Sequence, residues 1–248
     1  MAPNPAADNR SDSVPLNDEA RVRQILGNVV LDLWDVVNNL TRLKPSRDDR
    51  YSVTIFGSAR TRPGTVIYEE TRRCARLLAE MGCDIVTGGG PGLMQAANEG
   101  AAGIGEVGSI GIRVDLPFEQ DANAFVRQVF QHRTFFTRLH QFVLASDAFI
   151  VAPGGIGTLL EVAMIWQLLQ VGHMADVPLI LMGDMWTGMV DWARLSMLPF
   201  DPPLVHERDL AIPRCVPTAD AAIEIIREHH ARWLVKNRPE AGISGANP

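Results

Sequence analysis

From Tyr51 onward, short apolar runs alternate with stretches in which apolar residues return every three or four positions. Five runs have the length and apolar content of buried strands: SVTIFG (52–57), DIVTG (84–88), GSIGIRV (108–114), DAFIVA (147–152) and PLILM (178–182). FVRQVF (125–130) and IPRCV (212–216) are two weaker strand candidates. Helical spacing fills the gaps, at 66–81, 92–103, 132–145, 158–171, 186–197 and 218–236. Apolar strands separated by helices predict an α/β fold, a doubly wound parallel sheet flanked by helices on both faces. No internal repeat and no linker interrupts residues 50–236, so they are read as a single domain.

Ahead of that domain, Val22, Ile25, Leu26, Val29, Val30, Leu33, Val36, Val37 and Leu40 recur at helical spacing. The pattern predicts an N-terminal helix over 17–43, with Asn17 as N-cap and Asp18 and Glu19 in its first turn. An apolar stripe of that length has to be covered, by the domain or by another subunit. Residues 1–16, rich in Pro, Asn, Asp and Ala, predict a disordered tail, and 237–248 form a second tail. The start has no apolar h-region and the chain has no run of about 18 apolar residues, so neither a signal peptide nor a membrane span is expected.

Composition then narrows the chemistry. A net charge of −6 argues against a nucleic-acid backbone as partner. Cys74, Cys83 and Cys215 show neither metal-ligand spacing nor a disulfide framework, which fits a reducing cytoplasm. The only lysines are Lys44 and Lys236, so residues 51–235 contain none. A Walker P-loop and a pyridoxal-phosphate enzyme both need a lysine in the site, and both classes are excluded. No metal and no organic cofactor is expected.

Three glycine-bearing turns follow strands and lead toward helices: FGSARTRPG (56–64), TGGGPGLM (87–94) and APGGIGTLLE (152–161). Turns of this kind present unpaired backbone N–H groups and a positive helix end to an anion, and glycine lets a phosphate approach the backbone. Each alone could be a tight turn; three at one sheet edge point to a phosphate-bearing ligand. GIGEVG (103–108) fits G-x-G-x-x-G, yet it follows a helix and precedes a strand, the reverse of a dinucleotide fingerprint. In the last turn Leu160 stands where a third glycine belongs, which weakens a hydride-transfer reading.

Glu161 has two readings. Thr158-Leu-Leu-Glu161 has capping-box spacing, with Thr158 as N-cap. A carboxylate beside an anion-binding turn is otherwise awkward unless a cation or a ligand hydroxyl faces it. With no lysine between residues 51 and 235, arginine is the available cation, and Arg138, interrupting the apolar helix Phe135, Phe136, Leu139, Phe142, Val143, is the leading candidate. As a bland alternative, Arg138 is a solvated or surface-paired residue. His132 and His140 form no metal pair, and the tryptophans at 166, 186 and 192 read as core.

With TGGGPGLM, Arg138 and PGGIGTLLE, residues 50–235 resemble the LOG family, cytokinin riboside 5′-monophosphate phosphoribohydrolases often labelled "lysine decarboxylase-like". The motif P-G-G-x-G-T-x-x-E is complete from Pro153 to Glu161, and GIRVDLPFEQDAN (111–123) is similar to the longer bacterial branch. The chain departs from the family at Leu139, where a lysine usually follows the arginine. The resemblance implies a Rossmann-like fold and hydrolysis of the N-glycosidic bond of a nucleoside 5′-monophosphate, to free base and ribose 5-phosphate. It implies Arg138 and Glu161 as catalytic residues. Gly57, Ser58, Gly89, Gly90, Met94, Glu119, Gly154, Gly155, Gly157 and Thr158 would bind substrate. It also implies a homodimer or a larger even assembly. A second class stays open: the same fold and turns are similar to those of molybdenum-cofactor carrier proteins, which bind a phosphorylated pterin without catalysis.

Overall fold

The computed structural model describes residues 18–28, 50–114 and 121–237. The chain divides into two units, residues 1–47 and 48–248. In the first, residues 19–28 form helix α1. Its N-cap is Asp18 rather than Asn17: the Asp18 carboxylate accepts the Arg21 N–H at 3.2 Å, as a cap satisfies an orphan donor. The rest of the helix expected over 17–43, Asn17 itself and both tails beyond residue 237 and before 18 lie outside the described residues.

The second unit is a seven-stranded parallel sheet in the order β4-β3-β2-β1-β5-β6-β7. The strands are β1 (Ser52–Phe56), β2 (Asp84–Thr87), β3 (Ser109–Val114), β4 (Gln128–His132), β5 (Ala148–Val151), β6 (Leu179–Met182) and β7 (Pro213–Val216). Between them run α2 (Val66–Glu80), α3 (Leu93–Ala101), α4 (Phe135–Ala145), α5 (Ile156–Gln170), α6 (Thr187–Met197), α7 (Glu207–Leu210) and α8 (Ala219–Lys236). Alternate residues of β1, β2, β5 and β6 feed two cores. Val53, Ile55, Ile85, Ile150 and Ile180 pack under α2, α3 and α8. Phe56, Val86, Phe149, Val151 and Leu181 pack under α4, α5 and α6. That two-sided burial is why the strands read as continuous apolar runs.

Several boundaries move, two of them near the site with a local cause. The strand expected at 125–130 runs Gln128–His132, because Phe125 and Val126 are turned aside: Phe125 N–H donates to Asn123 Oδ1 and Val126 N–H to Asn123 O. The helix expected from 158 begins at Ile156, with Gly155 as its N-cap. The short α7 had no counterpart in the periodicity; its four residues are too few to show one.

The chain winds outward from β1 to β4, then crosses back to β5, so the switch point lies between β1 and β5. There the three glycine turns are tied together. Ser58 N–H donates to Pro153 O at 3.1 Å, and Leu93 N–H donates to Ser58 O at 2.9 Å. The second bond requires Gly92, at φ +71°, to lie directly on the Ser58 carbonyl; a Cβ there would overlap that oxygen and Ala59. Gly92→Ala should therefore cost about 2–4 kcal/mol in a denaturation experiment. Gly103→Ala, at φ +78° with open space around it, should cost only about 1 kcal/mol. Equal losses would mean that the turns are not locked together.

Candidate active site

The tied turns enclose a cleft of about 530 Å³. Its walls include Gly57, Ser58, Met94, Arg138, Gly155, Gly157, Thr158 and Glu161 from the sequence reading. Phe56, Ala59, Arg60, Gly88 and Ile156 join them. Of the remaining candidates, Gly89 and Gly90 sit behind the wall, Gly154 packs on the Thr158 side chain, and Glu119 lies outside the described residues. Gly88 and Arg60 were within sight of the sequence: one opens the glycine triad directly after β2, the other is the first cation after the β1 turn.

Helix α5 settles the local part of the Glu161 question. With Gly155 as N-cap, Thr158 is the third helical residue and Glu161 the sixth, so the capping-box geometry does not form. The N–H groups at the helix start are left for another acceptor; the first intrahelical bond here is Leu159 N–H to Gly155 O at 2.9 Å. Gly154 is held to glycine because a Cβ would collide with the Thr158 side chain.

Glu161 is instead turned inward, 8% exposed, on the same face of α5 as Thr158, Val162 and Ile165. Arg138 faces it from the first turns of α4, Nη1 to Oε1 at 3.4 Å, with 14% of the arginine side chain and 11% of the glutamate side chain exposed. Arg138 is thus no solvated face residue. Its Nε donates to Ile112 O at 3.0 Å, and its Cζ lies 5.2 Å from the Phe142 ring centroid. Phe142 is itself held edge-on by Phe56, centroids 4.9 Å apart. Gly88 completes the seat, since a Cβ there would stand 2.5 Å from Arg138 Nη2. Leu139, where the resemblance led to lysine, is buried and offers no second cation.

The ion pair is longer than the roughly 2.7–2.9 Å of a charge-assisted hydrogen bond, so the guanidinium only partly offsets the cost of burying the carboxylate. Burial pushes the Glu161 pKa up to about 7, with Arg138 pulling the other way. A carboxyl poised there holds or releases a proton near neutrality. His132, at the end of β4, is held below the usual histidine range by burial and by the Arg138 charge. Among the described residues, no three His, Cys, Asp or Glu side chains come together as a metal site, and no helix is long and apolar enough to cross a membrane.

A family model described as "Possible lysine decarboxylase" matches residues 94–226, more than half of the chain. The chain belongs to that family, the LOG family. None of the curated proteins matches it. Among solved structures, a molybdenum cofactor binding protein from Rippkaea orientalis superimposes on this LOG-family chain with a TM-score of 0.56 at 22% identity, covering 74% of this chain and 98% of the other. A molybdenum-cofactor carrier protein from Chlamydomonas reinhardtii gives 0.54 at 20% identity, covering 74% and 99%. At these identities the likeness is one of fold.

The Glu161 ionisation has a stability consequence. The folded-state pKa lies above the ordinary glutamate value of 4.5, so the fold favours the protonated form. This contribution is full below about 4.5 and is lost as pH rises through about 7. Raising the pH from about 5 to about 8 should lower the wild-type melting temperature by several degrees more than that of Glu161→Gln, which stays neutral. Parallel curves would show that the carboxyl ionises without penalty.

Proposed function

We propose that this protein hydrolyses the N-glycosidic bond of a nucleoside 5′-monophosphate, AMP or a cytokinin riboside 5′-monophosphate, to free base and ribose 5-phosphate. The observation that carries the reading is the buried Glu161 carboxyl facing Arg138 on the wall of a cleft whose rim is the start of α5. The 5′-phosphate binds the free N–H groups of residues 155–158 and the positive end of the helix. Glu161 is five residues past the helix start at Ile156, about 7.5 Å of helix axis, which suits a reach from phosphate across ribose. As the bond from C1′ to the base nitrogen breaks, positive charge develops on the sugar ring, and the Glu161 carboxylate stabilises it. Water gives its hydroxyl to C1′, and the one proton it loses is taken up by Glu161 and returned to the departing base. Arg138 holds Glu161 in place and favours its ionised form.

The assembly is a homodimer or a larger even oligomer. Helix α5 is apolar around most of its circumference, yet Ile156 and Leu160 are exposed, and Phe136 on α4 is 85% exposed. An all-round apolar helix calls for cover on its outer side. Beside it runs a groove of about 410 Å³ lined by Leu159, Trp166, Met189, Trp192 and Met197. The free cysteines, two of them buried, fit a reducing compartment, the cytoplasm.

A second reading is a non-catalytic carrier for a phosphorylated ligand, favoured by the fold shared with molybdenum-cofactor carriers. Such a protein uses the turns and gains nothing from a carboxylate buried beside an anion. Free adenine released from AMP separates the two. In the enzyme, Glu161→Gln lowers turnover at least about 100-fold, roughly 2.7 kcal/mol of transition-state stabilisation, while AMP still binds. Arg138→Lys lowers it strongly too, because an ammonium does not reproduce the planar fork that reaches Ile112 O and Glu161 together. AMP binding without any adenine release leaves the carrier. Light scattering at micromolar concentration should give at least twice the 27.2 kDa chain mass, and a stable monomer refutes the assembly.

A further inference from the structure

The segment GIRVDLPFEQDAN ends on Asn123, and that residue closes a web of hydrogen bonds behind the cleft. Asn123 N–H donates to Gly89 O at 2.9 Å, and its Nδ2 donates to Gly90 O at 2.9 Å and to Asn98 Oδ1 at 3.0 Å. Asn98, fully buried on α3, also accepts from Thr87 Oγ1 at 2.7 Å and donates from Nδ2 to Ser109 Oγ at 3.0 Å. Ser109 in turn donates to Phe125 O, and Thr87 Oγ1 accepts the Gly89 N–H at 2.9 Å. Every donor and acceptor direction is consistent, which fixes both amide orientations.

The web holds the backbone on both sides of Gly88 and touches nothing at the α5 start. Thr87 precedes Gly88, and Gly89 and Gly90 follow it; all three are tied through Asn123 or Asn98. Gly88 is the surface against which the Arg138 guanidinium lies. An aspartate could not take the place of Asn123: its carboxylate would face two acceptors, Gly90 O and Asn98 Oδ1.

We propose that Asn123 is a positioning residue of the site, acting through the Gly88–Gly90 turn to hold Arg138 against Glu161. The inference rests on the catalytic reading above for its consequence in turnover, while its geometric content stands without it. Loosening the turn lets the guanidinium drift, so the charge facing Glu161 weakens, whereas the phosphate is held elsewhere.

The test compares Asn123→Ala and Asn123→Ser with wild type. Tyr51→Phe serves as control, because it breaks a buried hydrogen bond to His229 Nδ1 (2.6 Å) just before β1, at the end of the strands opposite the cleft. Two readouts are used: steady-state hydrolysis of AMP, and the ionisation midpoint of Glu161 followed by carbon NMR of labelled glutamate carboxyls. In Asn123→Ala, kcat should fall about 10–30-fold with KM changed less than about 3-fold. The Glu161 midpoint should rise by about half a unit or more as Arg138 withdraws. Asn123→Ser, which keeps one donor, should fall between alanine and wild type, and it decides the matter if the alanine variant does not fold. The control should leave both readouts at wild-type values. A Glu161 midpoint unchanged in the Asn123 variants, or shifted equally by Tyr51→Phe, overturns the proposal. If the wild type releases no adenine, the catalytic reading fails and the NMR arm still decides this one.

Discussion

Burying the Glu161 carboxylate with a single guanidinium for company is the constraint around which the rest of the site is arranged. A buried carboxylate without a partner costs several kcal/mol, and one held at 3.4 Å by an arginine that also serves a backbone carbonyl is only partly compensated. The protein does not remove the remaining penalty; it leaves the carboxyl balanced between its charged and neutral forms. Phe142 beneath the guanidinium, Phe56 against Phe142, and the bare Gly88 beside Nη2 restrict where Arg138 can go. Each neighbour is simple by itself. Together they convert a flexible side chain into a fixed charge.

Sheet topology explains why these parts can meet. Arg138 stands on the helix that returns the chain from β4 at one edge to β5 near the centre, and Glu161 stands on the helix that leaves β5. The β1 and β2 turns come in from the other side and are joined to the β5 turn through Ser58. Strand ends at a switch point have no neighbouring crossover to fill the space above them, so a cleft remains there. The glycines then have separable duties. Gly92 and Gly154 permit contacts that a Cβ would break, Gly88 makes room for a cation, and Gly155 starts the helix that an anion would meet.

Helix α5 serves two surfaces at once. Thr158, Glu161, Val162 and Ile165 face the domain, while Ile156, Leu159 and Leu160 face outward. Any subunit packing on that outer face would sit close to the chemistry, because both faces belong to the same five turns or fewer of helix. A change that disturbs the outer contacts would therefore tilt the carboxylate, and the two properties are expected to vary together.

The sequence by itself determined the architecture, because the central strands had to be apolar on two faces and most helices on one, and that demand is written in the spacing of residues 51–236. It also determined which chemistry was unavailable, since a stretch from 51 to 235 without lysine leaves arginine as the fixed cation there. Three turns rich in glycine marked the sheet edge at which the cleft lies, and the motif from Pro153 to Glu161 contains the carboxylate that faces Arg138. The start of α5 was misread because Thr158 and Glu161 have capping-box spacing; nothing local reveals that Gly155 takes the cap and lets Glu161 turn inward. The register of β4 was missed because Asn123 binds Phe125 and diverts the chain before the strand begins. Tertiary structure alone decided that Arg138 is largely shielded from solvent, that Gly88 is its seat, and that Asn123, Asn98, Thr87 and Ser109 form one web. Periodicity records which face of an element is apolar. It carries no record of which polar atoms, distant in sequence, must satisfy one another once water has been removed.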